Sequence, residues 1–196
     1  PMMLAPAYTK MREDVGRLTQ KFPGCAENGA VYNHAAIFYV LSLYKIGQKE
    51  KAFKLLQQML PNEERLLRTG QLPVFIPNYY RGAYYQLPDS AGKSSGLFNT
   101  GTVAWYLRII IEELFGLKGT KDGLSISPQL PKIWSNASIV KNFRGATIRV
   151  NYSRNSNIVE SEIMVDGQKI IGNTLQSVEA GRSYNVKVTL PTELES

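Results

Sequence analysis

One cysteine and one histidine are all that this sequence of 196 residues holds of two versatile ligand types. Cys25 has no partner for a disulfide within the chain, which suits a reducing compartment, and a cytoplasmic protein is expected. A lone imidazole and a lone thiol with no metal-ligand spacing around them argue against a metal site. No stretch approaches the ~20 apolar residues a membrane span needs, so no membrane partner is expected. The opening "PMMLAPAYTK" lacks the charged start and long apolar core of a secretory signal. Pro1 precedes the first methionine, and the chain reads as the C-terminal piece of something longer. Runs of like charge are missing too. The net charge is +7 and the pI about 9.5, yet the basic residues are scattered, so nucleic acid is not the expected partner.

What is present is a core: 43% of residues are hydrophobic, enough for one large domain or two small ones. The pattern changes near residue 120. Before it, Val31 to Ile46 has helical period through Val31, Ala35, Phe38, Leu41 and Leu43. Gly47 breaks that run, and Glu50 to Leu60 resumes it with Ala52, Phe53, Leu56 and Met59, predicting a helical hairpin. A third helix is predicted over Asn99 to Phe115, carrying Val103, Tyr106, Ile110 and Leu114, capped by Asn99 or Thr100 and stopped at Gly116. Residues 61–98 read as a long connection, a feature that inside a compact domain is usually functional. After residue 120, "LSISP", "SIVKNF", "ATIRVNYS", "NIVESEIMVDG" and "SYNVKVTL" alternate apolar and polar residues, and Asp166-Gly167 is a hairpin turn signal. The expected architecture is α+β: helices and loops over 1–120, then an antiparallel β-sandwich or jelly roll over 121–196.

Several stretches could carry chemistry. In "PGCAENGAVYNHA" (Pro23 to Ala35) a turn, the acid Glu27 and small residues lead to His34 at the start of a helical pattern. A lone histidine is more often a packed or surface residue than a catalyst. In a helix's first turn, though, imidazole can donate to an anion alongside exposed backbone N–H groups. In "FNTGTVAW" (Phe98 to Trp105), Gly101 permits close backbone approach and Thr100 brings a hydroxyl where the helix dipole favours negative charge. Alone, that is also an ordinary threonine-capped helix. "NYYRGAYYQ" (Asn78 to Gln86) holds four tyrosines, suited to sugar rings or simply to packing a loop. Arg17 and Lys21 stand four apart and would clamp a carboxylate from one helical face, or form a solvated basic face. Glu27 is a candidate general acid or hydroxyl acceptor, and Cys25 reads as structural.

These motifs coincide with a family. "PGCAENGAVYNHA", the proline-rich middle, "LFNTGTVAW", "GLSISPQLPKIW" and "VKNFRGATIRV" occur in an order and at separations that resemble the C-terminal part of the inverting sugar phosphorylases of glycoside hydrolase family 94. The resemblance reaches to about Tyr152. It implies the last helices of an (α/α)6 barrel followed by a β domain. It also implies phosphorolysis of a β-glucosidic disaccharide, with inorganic phosphate as substrate and no cofactor, and a homodimer. Carried over residue by residue, His34, Thr100 and Gly101 contact phosphate, Glu27 lies beside the acceptor sugar, and Arg17 and Lys21 could hold a carboxylate on that acceptor. Where family members that release glucose have Lys before Glu-Asn-Gly, this chain has Ala26. That departure favours an open-chain acid acceptor, so that 4-O-β-D-glucosyl-D-gluconate would give α-D-glucose 1-phosphate and D-gluconate. The family's general-acid aspartate and a phosphate-binding arginine belong to an upstream segment that is absent here. No catalytic residue is therefore assigned within this chain, and the N-terminal part of the same protein is its expected partner. The remaining readings are another β-glucobiose or β-oligoglucan phosphorylase of the family, and a non-catalytic carbohydrate-binding module.

Overall fold

The structure is a computed structural model describing residues 2, 4–72, 75–96 and 100–192. The chain forms two compact units, one up to Leu107 and one from Arg108, so the change of pattern near residue 120 falls inside the second. Among the described residues, no helix is long and apolar enough to cross a membrane.

The first unit is mainly helical. α1 (Asn33–Lys45) and α2 (Lys49–Met59) form the hairpin that the apolar period predicts, turning at Gly47 with φ 73°. α2 buries Ala52, Phe53, Leu56 and Met59, the residues its period marks. α1 differs in which face it buries. Asn33, Ala36, Ile37, Val40, Leu43 and Tyr44 point inward, while Phe38 is 42% exposed. The buried set follows i, i+3, i+4, i+7 spacing, and the crowded apolar sequence allowed a second stripe one position away. Each large apolar side chain buried here contributes about 1.5–3 kcal/mol.

Within the expected long connection lies α3 (Glu63–Thr69). Asn62 caps it by accepting from the Glu64 amide, two glutamates fill its first turn, and Gly70 ends it in a left-handed conformation. It buries no residue, so no apolar period announces it. The two-residue strands β1 (Val31–Tyr32) and β2 (Tyr79–Tyr80) pair antiparallel and bring the middle of this connection to the start of α1. α4 (Thr102–Ile109) runs on into a π-helical turn over Ile110–Leu114, closed by Phe115 N–H to the Ile110 carbonyl. The expected single helix from Asn99 is thus shorter and ends in a wider turn. Asn99 and Phe98 lie outside the described residues. Tyr106 of α4 donates to the Leu56 carbonyl at the end of α2, and its burial pushes the phenol pKa up to about 12.

The second unit holds two sheets. The larger has the order β5 (Asn136–Phe143), β6 (Ala146–Asn155), β10 (Ser183–Pro191), β7 (Glu162–Val165), β8 (Gln168–Lys169). The smaller has the order β3 (Leu117–Gly119), β4 (Gly123–Ile126), β9 (Thr174–Gln176). Asp166 and Gly167, both at positive φ, make the expected tight turn between β7 and β8. The expectation of a purely antiparallel domain is corrected: β6 and β10 run parallel, from Thr147 opposite Ser183 to Asn155 opposite Pro191. Alternation records which face a strand buries and says nothing of its direction. The intervening β7–β9 segment supplies the long crossover that a parallel pair needs. Ile148, Val150, Tyr152, Val186 and Val188 are buried on the larger sheet, Leu117, Leu124, Ile126 and Leu175 on the smaller. Ile126, Ile163 and Val188 line one cavity, so the buried faces meet there.

Arg154, at the end of β6, donates to the carbonyls of Leu130, Pro131, Trp134 and Pro191. One guanidinium thereby ties the proline-bounded segment before β5 to the end of β10. Arg154→Ala leaves those carbonyls without their charged donor and is expected to cost about 3 kcal/mol of stability. Thermal or urea unfolding followed by tryptophan fluorescence checks this, since Trp134 sits in the released segment.

Candidate functional site

The site begins with backbone packing. Gly24 and Gly29 sit at φ 82° and 87°, conformations that side chains disfavour. Gly82 presses against Gly29 so closely that a Cβ there would overlap the Gly29 carbonyl oxygen, and its N–H donates to the Gly24 carbonyl. The Cys25–Asn28 turn is thus clamped between the "YRGAYY" loop and the chain's start. Asn28, fully buried, accepts from Tyr8 N–H and donates to the Tyr8 and Lys21 carbonyls. With its neighbours pinned, Glu27 remains half-buried and forms an ion pair with Lys21.

This pairing engages Lys21 with an acid, and the α-helical face expected to carry both cations is not formed. Gly16–Gln20 is a 3-10 turn that stops before Lys21, whose backbone is extended, so Arg17 and Lys21 do not share an α-helical face. Burial, and then repulsion from nearby Arg17, push the Lys21 pKa below the usual lysine value. Lys21 is engaged by Glu27, and Arg17 is the exposed cation of the group.

The second cluster forms where α1 and α4 begin. Neither helix has an acidic residue in its first turn, and Tyr32, at the N-cap of α1, makes no side-chain cap bond. The Gly101 carbonyl accepts from Trp105 N–H, which puts Gly101 at the N-cap of α4. A Cβ on Gly101 would stand 3.1 Å from His34 Nε2. The imidazole and the start of α4 therefore meet, with His34 set by a stacked Phe38 (5.5 Å between centroids) and an edge-on Tyr32 (6.2 Å). Phe38 in turn meets Trp105 edge to face at 5.0 Å. First-turn N–H groups, an imidazole and a glycine that allows close approach are the kinds of group that an anion site needs.

Sequence reasoning missed the residue that joins these helix starts. Asn78, 1% exposed, accepts from Asn33 N–H through its carbonyl at 2.8 Å and from the Thr100 hydroxyl through Oδ1 at 2.6 Å. In the sequence Tyr79 is one of several loop tyrosines. It packs on Tyr32 at 6.3 Å, and burial, aided by contact with the Cys25 thiol, pushes its pKa up. The row Cys25, Tyr79, Tyr32, His34 links the Glu27 turn to the starts of α1 and α4, whereas Tyr85 of the same loop is fully exposed. Among the described residues, no group of three or more His, Cys, Asp or Glu could hold a metal ion.

Residues 1–116 match the glycosyl hydrolase 94 superfamily, catalytic domain, and the chain belongs to that superfamily. Its relatives include a cellobionic acid phosphorylase of Neurospora crassa, 51% identical over 96% of this chain and 24% of the relative. A 3-O-beta-D-glucopyranosyl-beta-D-glucuronide phosphorylase of Paenibacillus borealis is 34% identical over 97% of this chain and 25% of its own length. An N,N'-diacetylchitobiose phosphorylase of Vibrio furnissii is 23% identical over 95% of this chain and 23% of its own length. The chain spans about a quarter of the length of these relatives.

Proposed function

We propose that the full-length protein carries out inverting phosphorolysis of a β-glucosidic disaccharide whose acceptor half is a sugar acid, and that cellobionic acid is that disaccharide. The products are α-D-glucose 1-phosphate and D-gluconate. The observation that carries the reading is the meeting of His34 Nε2 with Gly101 at the joined starts of α1 and α4, in a chain 51% identical to a cellobionic acid phosphorylase. Two relatives above 30% identity carry names in which one sugar bears a carboxylate, which supports an acid acceptor over glucose.

Inverting chemistry places the nucleophile and the general acid on opposite faces of the sugar. Phosphate is already an anion, so the protein supplies orientation rather than a base. His34 and the first-turn amides of α4 hold the oxyanion under the anomeric carbon. Glu27, oriented by Lys21, accepts from acceptor hydroxyls, and Arg17 faces the acceptor carboxylate. The proton for the departing oxygen comes from an acid elsewhere in the full-length protein, whose helices complete an (α/α)6 barrel with α1–α4.

Phosphate release from α-D-glucose 1-phosphate with gluconate, glucuronate or glucose as acceptor tests this. Gluconate is expected to be the best acceptor. Faster release with glucose overturns the acid acceptor, and no release with any of them overturns phosphorolysis. Arg17→Ala should raise the KM for gluconate about tenfold, the effect of losing one charge-assisted contact, and leave that for glucose 1-phosphate within about twofold.

A further inference from the structure

The hydroxyl of Thr100 has a fixed set of partners. It donates to Asn78 Oδ1 at 2.6 Å and lies 3.3 Å from the hydroxyl of Thr102. Thr102 is fully buried. Because the Thr100 proton is given to Asn78, the hydrogen between the two threonines comes from Thr102. A hydroxyl has one proton and two lone pairs. Among the described residues, Thr100 has then used its proton and one lone pair, and a single lone pair is left to face a ligand.

We propose that Asn78 is a positioning residue that turns Thr100 into a hydrogen-bond acceptor, so that this corner of the site receives the P–OH of hydrogen phosphate and rejects an oxyanion that carries no proton. This rests on the reading of His34, Thr100 and Gly101 as the phosphate site. The other phosphate oxygens need donors, which His34 and the first-turn amides of α4 provide. Sulfate has the same shape but no proton at neutral pH, and its oxygen would meet the Thr100 lone pair with nothing between them. An unmade bond of this kind in a confined site is costly, which makes it a basis for discrimination. The Asn78 side chain acts separately from its backbone, because Asn33 N–H is held by the Asn78 main-chain carbonyl, which any substitution keeps.

The test uses the full-length protein with Asn78→Leu, Thr100→Val and the double variant. It measures KM for phosphate and for disaccharide, the inhibition constant of sulfate, and the melting temperature. In the wild type, sulfate should inhibit at concentrations at least about tenfold above the phosphate KM. Asn78→Leu frees the Thr100 proton to donate, so it should raise the phosphate KM about tenfold, bring sulfate within about threefold of phosphate, and leave the disaccharide KM unchanged. In the Thr100→Val background, Asn78→Leu should add nothing. An unmoved sulfate-to-phosphate ratio, or an equal extra loss in the Thr100→Val background, overturns the role of Asn78 while the phosphate site stands. Unchanged phosphate KM in both Thr100→Val and His34→Ala overturns the phosphate site and this role with it. If Asn78→Leu does not fold, Asn78→Asp serves: it keeps the acceptor and adds a negative charge. It should raise the phosphate KM at least about tenfold with discrimination against sulfate kept and the disaccharide KM unchanged. A narrowed ratio, or equal rises in both KM values, overturns the proposal.

Discussion

Replacing His34 with alanine in the full-length protein is expected to lower kcat/KM for phosphate by about a hundredfold to a thousandfold, the usual effect of removing one oriented donor from an oxyanion site. The KM for disaccharide should stay within about twofold, because the acceptor contacts proposed for Glu27 and Arg17 lie at the other end of the aromatic row. The fold should survive. His34 is half-buried in the first turn of α1, and the face that packs that helix is Asn33, Ala36, Ile37 and Val40. Gly101→Ala supplies an independent arm. Its methyl would stand 3.1 Å from Nε2, tight enough to displace the ring without deleting it. Steady-state kinetics in both directions, with melting temperatures alongside, check both variants. Phosphate kinetics unchanged in His34→Ala would remove the imidazole from the oxyanion site. A matching rise in both KM values would make it a packing residue.

How much of this was legible in the sequence depends on the distance over which each residue finds its partner. α2 declared itself because its apolar period and its buried face coincide. α1 has two adjacent apolar stripes, and only the packed structure decides that Ile37 is inside and Phe38 outside. α3 has a good cap, acidic first turn and glycine stop but no buried side chain, so periodicity was blind to it while its end signals were readable. The parallel pairing of β6 with β10 left no trace in either strand's alternation. At the site, His34 and Gly101 could be proposed from helix-start signals and from family motifs. Asn78 could not, because its partners Asn33 and Thr100 lie far away along the chain on different elements. A buried asparagine in a tyrosine-rich loop looks like any turn residue. The Lys21–Glu27 pair failed in the opposite way: four-residue spacing suggested a cation pair, and the early end of the 3-10 turn redirected Lys21 to an acid instead.

Gly82→Ala is the substitution expected to damage the first unit most. An alanine Cβ at this position would overlap the Gly29 carbonyl oxygen, and the next atoms it meets are the Gly29 carbonyl carbon, at 2.9 Å, and Ala30 Cα, at 3.3 Å. All of these are backbone, so no rotamer change relieves the overlap, and the Cys25–Asn28 turn must move as a whole. Gly29 is itself closely packed: a Cβ added to it would stand 2.9 Å from Ala7 Cβ and 3.1 Å from the Leu4 carbonyl oxygen. The expected cost is about 3–5 kcal/mol, the range of severe overpacking against rigid atoms. Gly92→Ala is the control. Unlike Gly82, Gly92 has a positive φ, 78°, with open space around its Cβ position, so it should lose only about 1 kcal/mol to backbone strain. Urea unfolding of the two variants separates steric overlap from backbone strain, and equal losses would show that the clamp between Gly24, Gly29 and Gly82 is not what holds the turn. Activity adds a second axis. Glu27 sits inside the clamped turn, so a folded remnant of Gly82→Ala should lose acceptor binding before phosphate binding, because Asn78 still ties α1 to Thr100 from the other side of the tyrosine strand.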